Sequence, residues 1–143
     1  MTPLKLEQKS SIAARLAFIE TELMDLEKYK ATTWEVFKEN RDIRRNIERI
    51  TENIANGCID ISKIIFAGEA LELPSTYKDV IIQLGINKII PQKTAEELAK
   101  IAALRNILAH EYLDLEWEKI KFFITDGKKT IKEFTGVAQK IIS

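Results

Sequence analysis

Apolar residues recur every three or four positions along most of the chain, the spacing that places them on one side of an α-helix. The first run extends from about residue 6 to residue 30, and its apolar positions are Ile12, Leu16, Ile19, Leu23 and Leu26. The second begins at a capping threonine, Thr32 or Thr33, and continues to about Ala67. These patterns predict two long amphipathic helices.

Two further helices are predicted from residues that start and stop helices. Pro74, Ser75 and Thr76 precede a short helix over residues 77–84, which Gly85 would end. Thr94 is followed by Glu97 at capping-box spacing, so this pair would begin a fourth helix that runs at least to Ala109.

The last part of the chain predicts another helix from Asp114, and a break near Asp126 and Gly127 before a C-terminal helix. Short connections favour antiparallel neighbours, so the predicted fold class is all-α, an up-and-down antiparallel bundle of about five helices. A chain of 143 residues fits a single domain over residues 1–143 that buries a core without disulfides or metals.

Composition excludes several classes of protein. Lys plus Arg and Asp plus Glu both total 22, so charge alone draws the chain to neither nucleic acid nor an anionic membrane. No apolar run approaches the roughly 20 residues of a membrane span, and no signal-like start is present, so we expect a cytoplasmic protein. The lone Cys58 is expected to be a small buried hydrophobe, and the single histidine argues against a metal site.

The predicted fourth helix carries the candidate chemistry. Its apolar positions should face the core; they are Ile101, Leu104, Ile107 and Leu108. Arg105, Asn106, His110 and Tyr112 occupy adjacent sectors of the other side, since Asn106 and His110 are four residues apart and Arg105 and Tyr112 seven. We expect this side to hold small residues that admit a ligand or another backbone, namely Ala99, Ala102, Ala103 and Ala109.

Structural explanations compete with each of these candidates. A lone histidine near a helix C-terminus is often a dipole partner, and Arg105 with Tyr112 would also make a structural stack. The arginines of the second helix would either hold an RNA backbone or pair with Glu48 and Glu52, and we favour pairing; they are Arg41, Arg44, Arg45 and Arg49. Trp34 and Trp117 are expected to pack between helices.

Residues 105–112, RNILAHEY, resemble the R-N-x-x-x-H-x-Y signature of HepT-like members of the HEPN superfamily. The similarity includes IANGCIDISKIIFA before the motif, the segments LPSTYKDVIIQLG and IIP, and YLDLE after it. It therefore covers nearly the whole chain. An Arg and a His at this spacing are a weak signal alone, but the motif together with its flanking segments is much more specific.

The resemblance implies a metal-independent ribonuclease that needs no cofactor, the toxin of a type VII-like pair whose antitoxin is a nucleotidyltransferase of the minimal (MNT) type. It implies catalytic roles for Arg105, His110 and Asn106: a phosphate ligand, a proton-transfer group, and a side chain that orients the imidazole or binds phosphate. Tyr112 would accept adenylyl groups from the antitoxin. The alternative function is a non-catalytic helical module that binds a nucleotide or a partner protein.

The single histidine bears on oligomeric state, because acid–base cleavage of RNA commonly uses two proton-transfer groups. A two-fold homodimer that pairs the fourth helix with its copy would bring two His110 and two Arg105 side chains to one cleft. The alanine positions listed for that helix would permit this approach. We therefore expect a homodimer.

Overall fold

The computed structural model describes residues 3–68, 72–108 and 113–143, and these residues contain helices but no strand. The helices are α1 (Leu6–Glu27), α2 (Trp34–Glu39), α3 (Arg41–Ala67), α4 (Tyr77–Ile86), α5 (Gln92–Leu108), α6 (Leu113–Phe122) and α7 (Lys128–Ile142). A π-helical turn over Phe123–Gly127 joins α6 to α7. The all-α prediction is confirmed.

The predicted second helix is in fact two helices, separated at Asn40. This residue leaves the helical region, with φ −94° and ψ 97°, and its side chain accepts a hydrogen bond from the backbone N–H of Ile43 at 3.1 Å. Its own N–H donates to the carbonyl of Val36 at 2.8 Å. Asn40 thus ends α2 and caps α3, a local competition for backbone groups that apolar spacing does not report.

Two predicted helix boundaries in the α4–α5 hairpin, the end of α4 and the start of α5, are wrong. Gly85 does not end α4; it lies inside the helix, where an added Cβ would stand 2.6 Å from the Cβ of Ala95. The glycine is therefore needed for close approach of the two helices. Helix α5 begins at Gln92, directly after a proline that suits a helix start, so Thr94 is not its cap. The Thr94 hydroxyl instead donates to Glu133 of α7 at 2.9 Å.

The core is built chiefly from the isoleucine stripe of α3, which packs against α1 on one side and against α4 and α5 on the other. Ile54, Ile61 and Ile65 are fully buried in this stripe. Cys58 lies among them with no exposed surface, and burial raises the pKa of its thiol from 9.0 to about 12. The prediction of a small buried hydrophobe is confirmed, because a thiol kept protonated in this way is a poor nucleophile.

A second packing centre, the tryptophan cluster, consists of Trp34, Phe37, Trp117 and Lys121. The Phe37 and Trp117 ring centres are 4.8 Å apart, and those of Trp34 and Trp117 are 6.4 Å apart. The Lys121 ammonium lies 5.6 Å from the Trp117 ring centre and donates to the carbonyls of Lys30 and Thr32 at 3.1 and 3.0 Å. Both tryptophans pack between helices, as predicted.

The predicted break at Asp126 and Gly127 is a widened helical turn, so the chain stays helical from α6 into α7. An added Cβ at Gly127 would stand 2.4 Å from the ring of Phe123, which explains the glycine at the end of the turn. Within the described residues, no helix combines the length and apolar character that crossing a membrane requires.

Candidate functional site

The antiparallel packing of α4 and α5 places the start of one helix beside the end of the other. The two helices touch at Gly85 and Ala95, and a rise of about 1.5 Å per residue carries both about 12–15 Å further to Tyr77 and Arg105. Tyr77 is the first residue of α4, and the Thr76 side chain caps that helix by accepting from the N–H of Asp79 at 3.1 Å. The cap fixes the start of α4 and therefore the position of Tyr77.

Arg105 is held by two different helices. Its guanidinium carbon lies 4.8 Å from the centre of the Tyr77 ring, within the range of a cation–π contact. Its Nη1 donates to Oδ1 of Asn56, on α3, at 3.0 Å. The side chain is half-buried. This hydrogen bond uses one N–H of a guanidinium that carries several, so the group is fixed in place while retaining its capacity to bind an anion.

Asn106 is exposed, and its Nδ2 donates to the phenolic oxygen of Tyr77 at 3.0 Å. One tyrosine therefore contacts two consecutive residues of α5, the guanidinium through its ring and the carboxamide through its hydroxyl. We call Asn56, Tyr77, Arg105 and Asn106 the arginine site. The expected proximity of Arg105 and Asn106 is present, and the side chain that joins them comes from another helix.

His110 and Tyr112 lie outside the described residues, as does Ala109. They follow closely after Leu108, the last residue of α5, so the sequence alone connects them with the arginine site.

The prediction that four alanines form an open face of this helix is wrong for two of them. Ala99 and Ala102 have 2% and 0% of their surface exposed and belong to the chain's own core, and Ala103 is half-buried. Because α5 packs against α3, α4 and α7, more than one of its sides is covered. The predicted core positions Ile101 and Leu104 are buried as expected.

Helix-forming patterns and motif spacing do not mark Asn56 and Tyr77 as site residues. Both lie in segments that carried the family resemblance, IANGC and LPSTY, and that similarity was the available signal. Helical periodicity does not identify them, because it treats Asn56 as an ordinary polar position and Tyr77 as a helix start. Their contact with Arg105 follows from helix packing alone.

The arginines of the predicted second helix show the pairing that we favoured, in part. Arg49 lies 3.7 Å from Glu52, whereas Arg44 donates to the carbonyls of Phe37 and Lys38 at the end of α2. Among the described residues, no group of His, Cys, Asp and Glu side chains is arranged to hold a metal ion.

A cleft of about 530 Å³ lies between α5, α6 and α7 and is separate from the arginine site. Its apolar lining comes from Ile101, Leu104, Phe122 and Phe123, and four lysines and four acidic residues surround it. No member of the arginine site lines it. The presence of a cleft therefore does not by itself locate the chemistry of this protein.

Comparison with known proteins gives a match to a family model described as ribonuclease HepT-like over residues 19–138. The mRNA nuclease HepT of Shewanella oneidensis is 25% identical over 101 residues, which cover 71% of this chain and 76% of the relative. The tRNA nuclease HepT of Aphanizomenon flos-aquae is 28% identical over 105 residues, covering 73% and 71%.

Solved structures share the fold at lower sequence identity. A tri-AMPylated HEPN toxin of Shewanella oneidensis in complex with an MNT antitoxin superposes with a TM-score of 0.80 at 22% identity, covering 91% of this chain and 97% of that one. The cytosolic protein YutE of Bacillus subtilis, of unknown function, gives 0.79 at 21% identity, covering 98% and 92%.

Proposed function

The chain belongs to the ribonuclease HepT-like family, and from this premise we propose that it is an RNA-cleaving toxin whose reaction uses Arg105, Asn106 and His110. The predicted class, a HepT-like endoribonuclease, is confirmed by the family match and by the nuclease relatives.

The proposed reaction is attack of a ribose 2′-hydroxyl on the adjacent phosphorus. The new P–O bond forms as the bond to the 5′-oxygen breaks, which leaves a 2′,3′-cyclic phosphate and a 5′-hydroxyl. One proton leaves the 2′-hydroxyl and one reaches the departing oxygen, and His110 is suited to these transfers because imidazole titrates near neutral pH. Arg105 would bind the phosphoryl oxygens, where negative charge accumulates.

The observation that carries this proposal is the way in which Arg105 is held. A surface arginine normally loses considerable side-chain entropy when it binds an anion, but this one already rests on the Tyr77 ring and is fixed by Asn56. Preorganised positive charge is the feature that stabilises a developing oxyanion most effectively. The motif that contains His110 begins at this arginine.

The test is cleavage of messenger and transfer RNA by the purified chain in the presence of EDTA, with detection of the cyclic phosphate product. Arg105→Ala and His110→Ala should each lower the rate by about 10²–10⁴-fold while the helical circular dichroism is unchanged. Arg41→Ala removes an exposed guanidinium at the start of α3 and should leave the rate within about twofold of wild type.

Two results would contradict the proposal. Full activity of His110→Ala would remove the acid–base assignment. Absence of cleavage by the wild-type chain, combined with nucleotide or partner binding that Arg105→Ala abolishes, would favour the non-catalytic binding module.

We further propose that a nucleotidyltransferase antitoxin of the MNT type binds this chain and adenylylates Tyr112. The structurally similar Shewanella oneidensis toxin is tri-AMPylated and in complex with such an antitoxin, which supports the idea. The phenolic oxygen would attack the α-phosphorus of a nucleoside triphosphate and expel pyrophosphate, with its proton passing to a base. An anionic AMP near Arg105 would then compete with the RNA phosphate.

Mass spectrometry of the chain, co-expressed with a nucleotidyltransferase from a neighbouring gene, tests this step. AMP-sized additions should appear on the wild type and disappear in Tyr112→Phe, and that variant should stay active when the antitoxin is present. Additions that persist in Tyr112→Phe would move the acceptor to another residue.

We also propose that the chain forms a homodimer and acts in the cytoplasm. Ala99 and Ala102 are buried in the chain's own core, so they do not form a face for dimerisation. The support for a dimer is the single histidine, because two copies would supply two proton-transfer groups. Sedimentation should give a dimer, and an active monomer would contradict it.

A further inference from the structure

We propose that Tyr77 is a positioning residue for RNA cleavage, which holds Arg105 with its ring and Asn106 with its hydroxyl. The catalytic part of this inference rests on the proposed function. Tyr77 lies outside the RNILAHEY motif, 28 and 29 residues before its two partners in sequence.

The ring and the carboxamide of Asn56 restrict Arg105 in complementary ways. The guanidinium carbon at 4.8 Å from the ring centre places the group against the aromatic ring and limits its movement toward α4. The 3.0 Å hydrogen bond from Nη1 to Asn56 then limits its rotation. Together the two contacts restrict a flexible side chain to one orientation, in which its remaining N–H groups can donate to a phosphate.

The Tyr77 hydroxyl determines how Asn106 is presented. Because the amide nitrogen donates to the phenolic oxygen at 3.0 Å, the carboxamide oxygen of Asn106 is turned elsewhere. That oxygen is an acceptor of the kind that an imidazole N–H needs in order to hold one tautomer. With one amide N–H engaged by Tyr77, the carboxamide oxygen of Asn106 is left to accept from a neighbouring donor.

Tyr77 is itself anchored well enough to position other groups. The Thr76 cap fixes the first turn of α4, and the next turn is rooted in the core by Val80 and Ile81, which are 2% and 0% exposed. Further along, Gly85 permits the close contact with α5 that sets the spacing of the two helices. Displacement of Tyr77 relative to Arg105 would therefore require movement of the hairpin.

A purely structural tyrosine would affect stability and leave the catalysed step unchanged, so the test separates these quantities. Tyr77→Phe keeps the ring and removes the hydroxyl; we expect kcat to fall on the order of tenfold, with KM and thermal unfolding little changed. Tyr77→Leu also removes the ring, and we expect kcat to fall on the order of 10²-fold. The conservative variant should thus retain the part of the activity that depends on Arg105.

Two double variants assign each loss to its partner. Tyr77→Phe should have no further effect on kcat in an Asn106→Ala background, because the hydrogen bond is already absent there. Tyr77→Leu should have much less than its single effect in an Arg105→Lys background. Additive losses in both backgrounds would overturn the positioning role.

The chain contains a matched control for the hydroxyl. Tyr29 also accepts a hydrogen bond from an asparagine amide, that of Asn46, at 3.1 Å, and this pair joins α3 to the turn after α1. Tyr29→Phe therefore removes the same type of contact away from the arginine site. It should leave kcat unchanged, and a tenfold loss equal to that of Tyr77→Phe would overturn the inference.

A spectroscopic measurement separates failure of this inference from failure of the proposed function. The Tyr77 ring should shift the NMR signals of the Arg105 side chain upfield, and Tyr77→Leu should abolish the shift while Tyr77→Phe retains it. Unshifted signals in the wild type would overturn the contact. Shifted signals in a wild-type chain that cleaves no RNA would support the contact and overturn the catalytic consequence together with the proposed function.

Discussion

Among the described residues, three cations lie against aromatic rings, and two of them, Lys121 and Arg105, differ in their hydrogen-bond acceptors. Lys121 lies 5.6 Å from the Trp117 ring centre and donates to two main-chain carbonyls, those of Lys30 and Thr32. Arg105 lies 4.8 Å from the Tyr77 ring centre and donates to the side chain of Asn56. The first arrangement secures the chain after α1, whereas the second fixes the position of a charged side chain.

The difference shows why contact with an aromatic ring is not itself a sign of function. Carbonyls beyond the end of a helix have no donor within that helix. The Lys121 ammonium donates hydrogen bonds to two such carbonyls. Asn56 and Tyr77 meet no such need of the backbone. Their contacts instead orient a planar group with several donors, which is useful when a planar or tetrahedral anion binds.

The largest expected effect comes from exchanging the two kinds of cation. Arg105→Lys keeps the charge but loses the planar fork, and we expect RNA cleavage to fall by about 10²-fold with unfolding unchanged. The reciprocal change, Lys121→Arg, should leave cleavage at the wild-type rate. Initial rates of both variants on one RNA decide the comparison, and equal rates would show that the two cations are equivalent.

A second change moves the ring away from Arg105 without altering either residue. Gly85→Ala places a Cβ within 2.6 Å of the Cβ of Ala95, so α4 and α5 must separate. We expect the free energy of unfolding to fall by about 1–3 kcal/mol, and cleavage to fall as Tyr77 shifts. Urea unfolding and initial rates measure the two effects, and wild-type values for both would show that the hairpin absorbs the added methyl group.

Removal of the Lys121 ammonium should affect stability alone. Lys121→Met keeps an apolar stem on Trp117 but leaves the carbonyls of Lys30 and Thr32 without this donor. We expect the free energy of unfolding to fall by about 1–2 kcal/mol, a modest loss because water reaches part of the site. A cleavage rate below wild type at full folding would place Lys121 in the reaction.

The smallest effect is the control for Gly85. Gly136 lies on an exposed part of α7, and an added Cβ would meet nothing within 4 Å. Gly136→Ala should therefore raise the free energy of unfolding by about 0.5–1 kcal/mol, since alanine is the better helix former. The same substitution thus has opposite signs at two helical glycines, and a loss of stability at Gly136 would contradict the packing described for α7.

Sequence patterns predicted those parts of the fold that depend on near neighbours. The apolar stripes of the long helices, the buried cysteine and the packing of both tryptophans followed from spacing and residue type. Boundaries were less predictable where one side chain competes for backbone groups, as at Asn40, or where a glycine serves helix packing instead of termination, as at Gly85. The alanine face was wrong because spacing does not report how many helices surround α5.

The sequence by itself determined the helical class, the principal core stripe and the motif in which Arg105 and Asn106 stand together. Only the tertiary structure decided that Tyr77 and Asn56 contact them. The physical reason is separation along the chain, since Arg105 meets Asn56 across 49 residues and Asn106 meets Tyr77 across 29. Helical periodicity relates residues within a few turns, whereas these contacts depend on how α3, α4 and α5 pack.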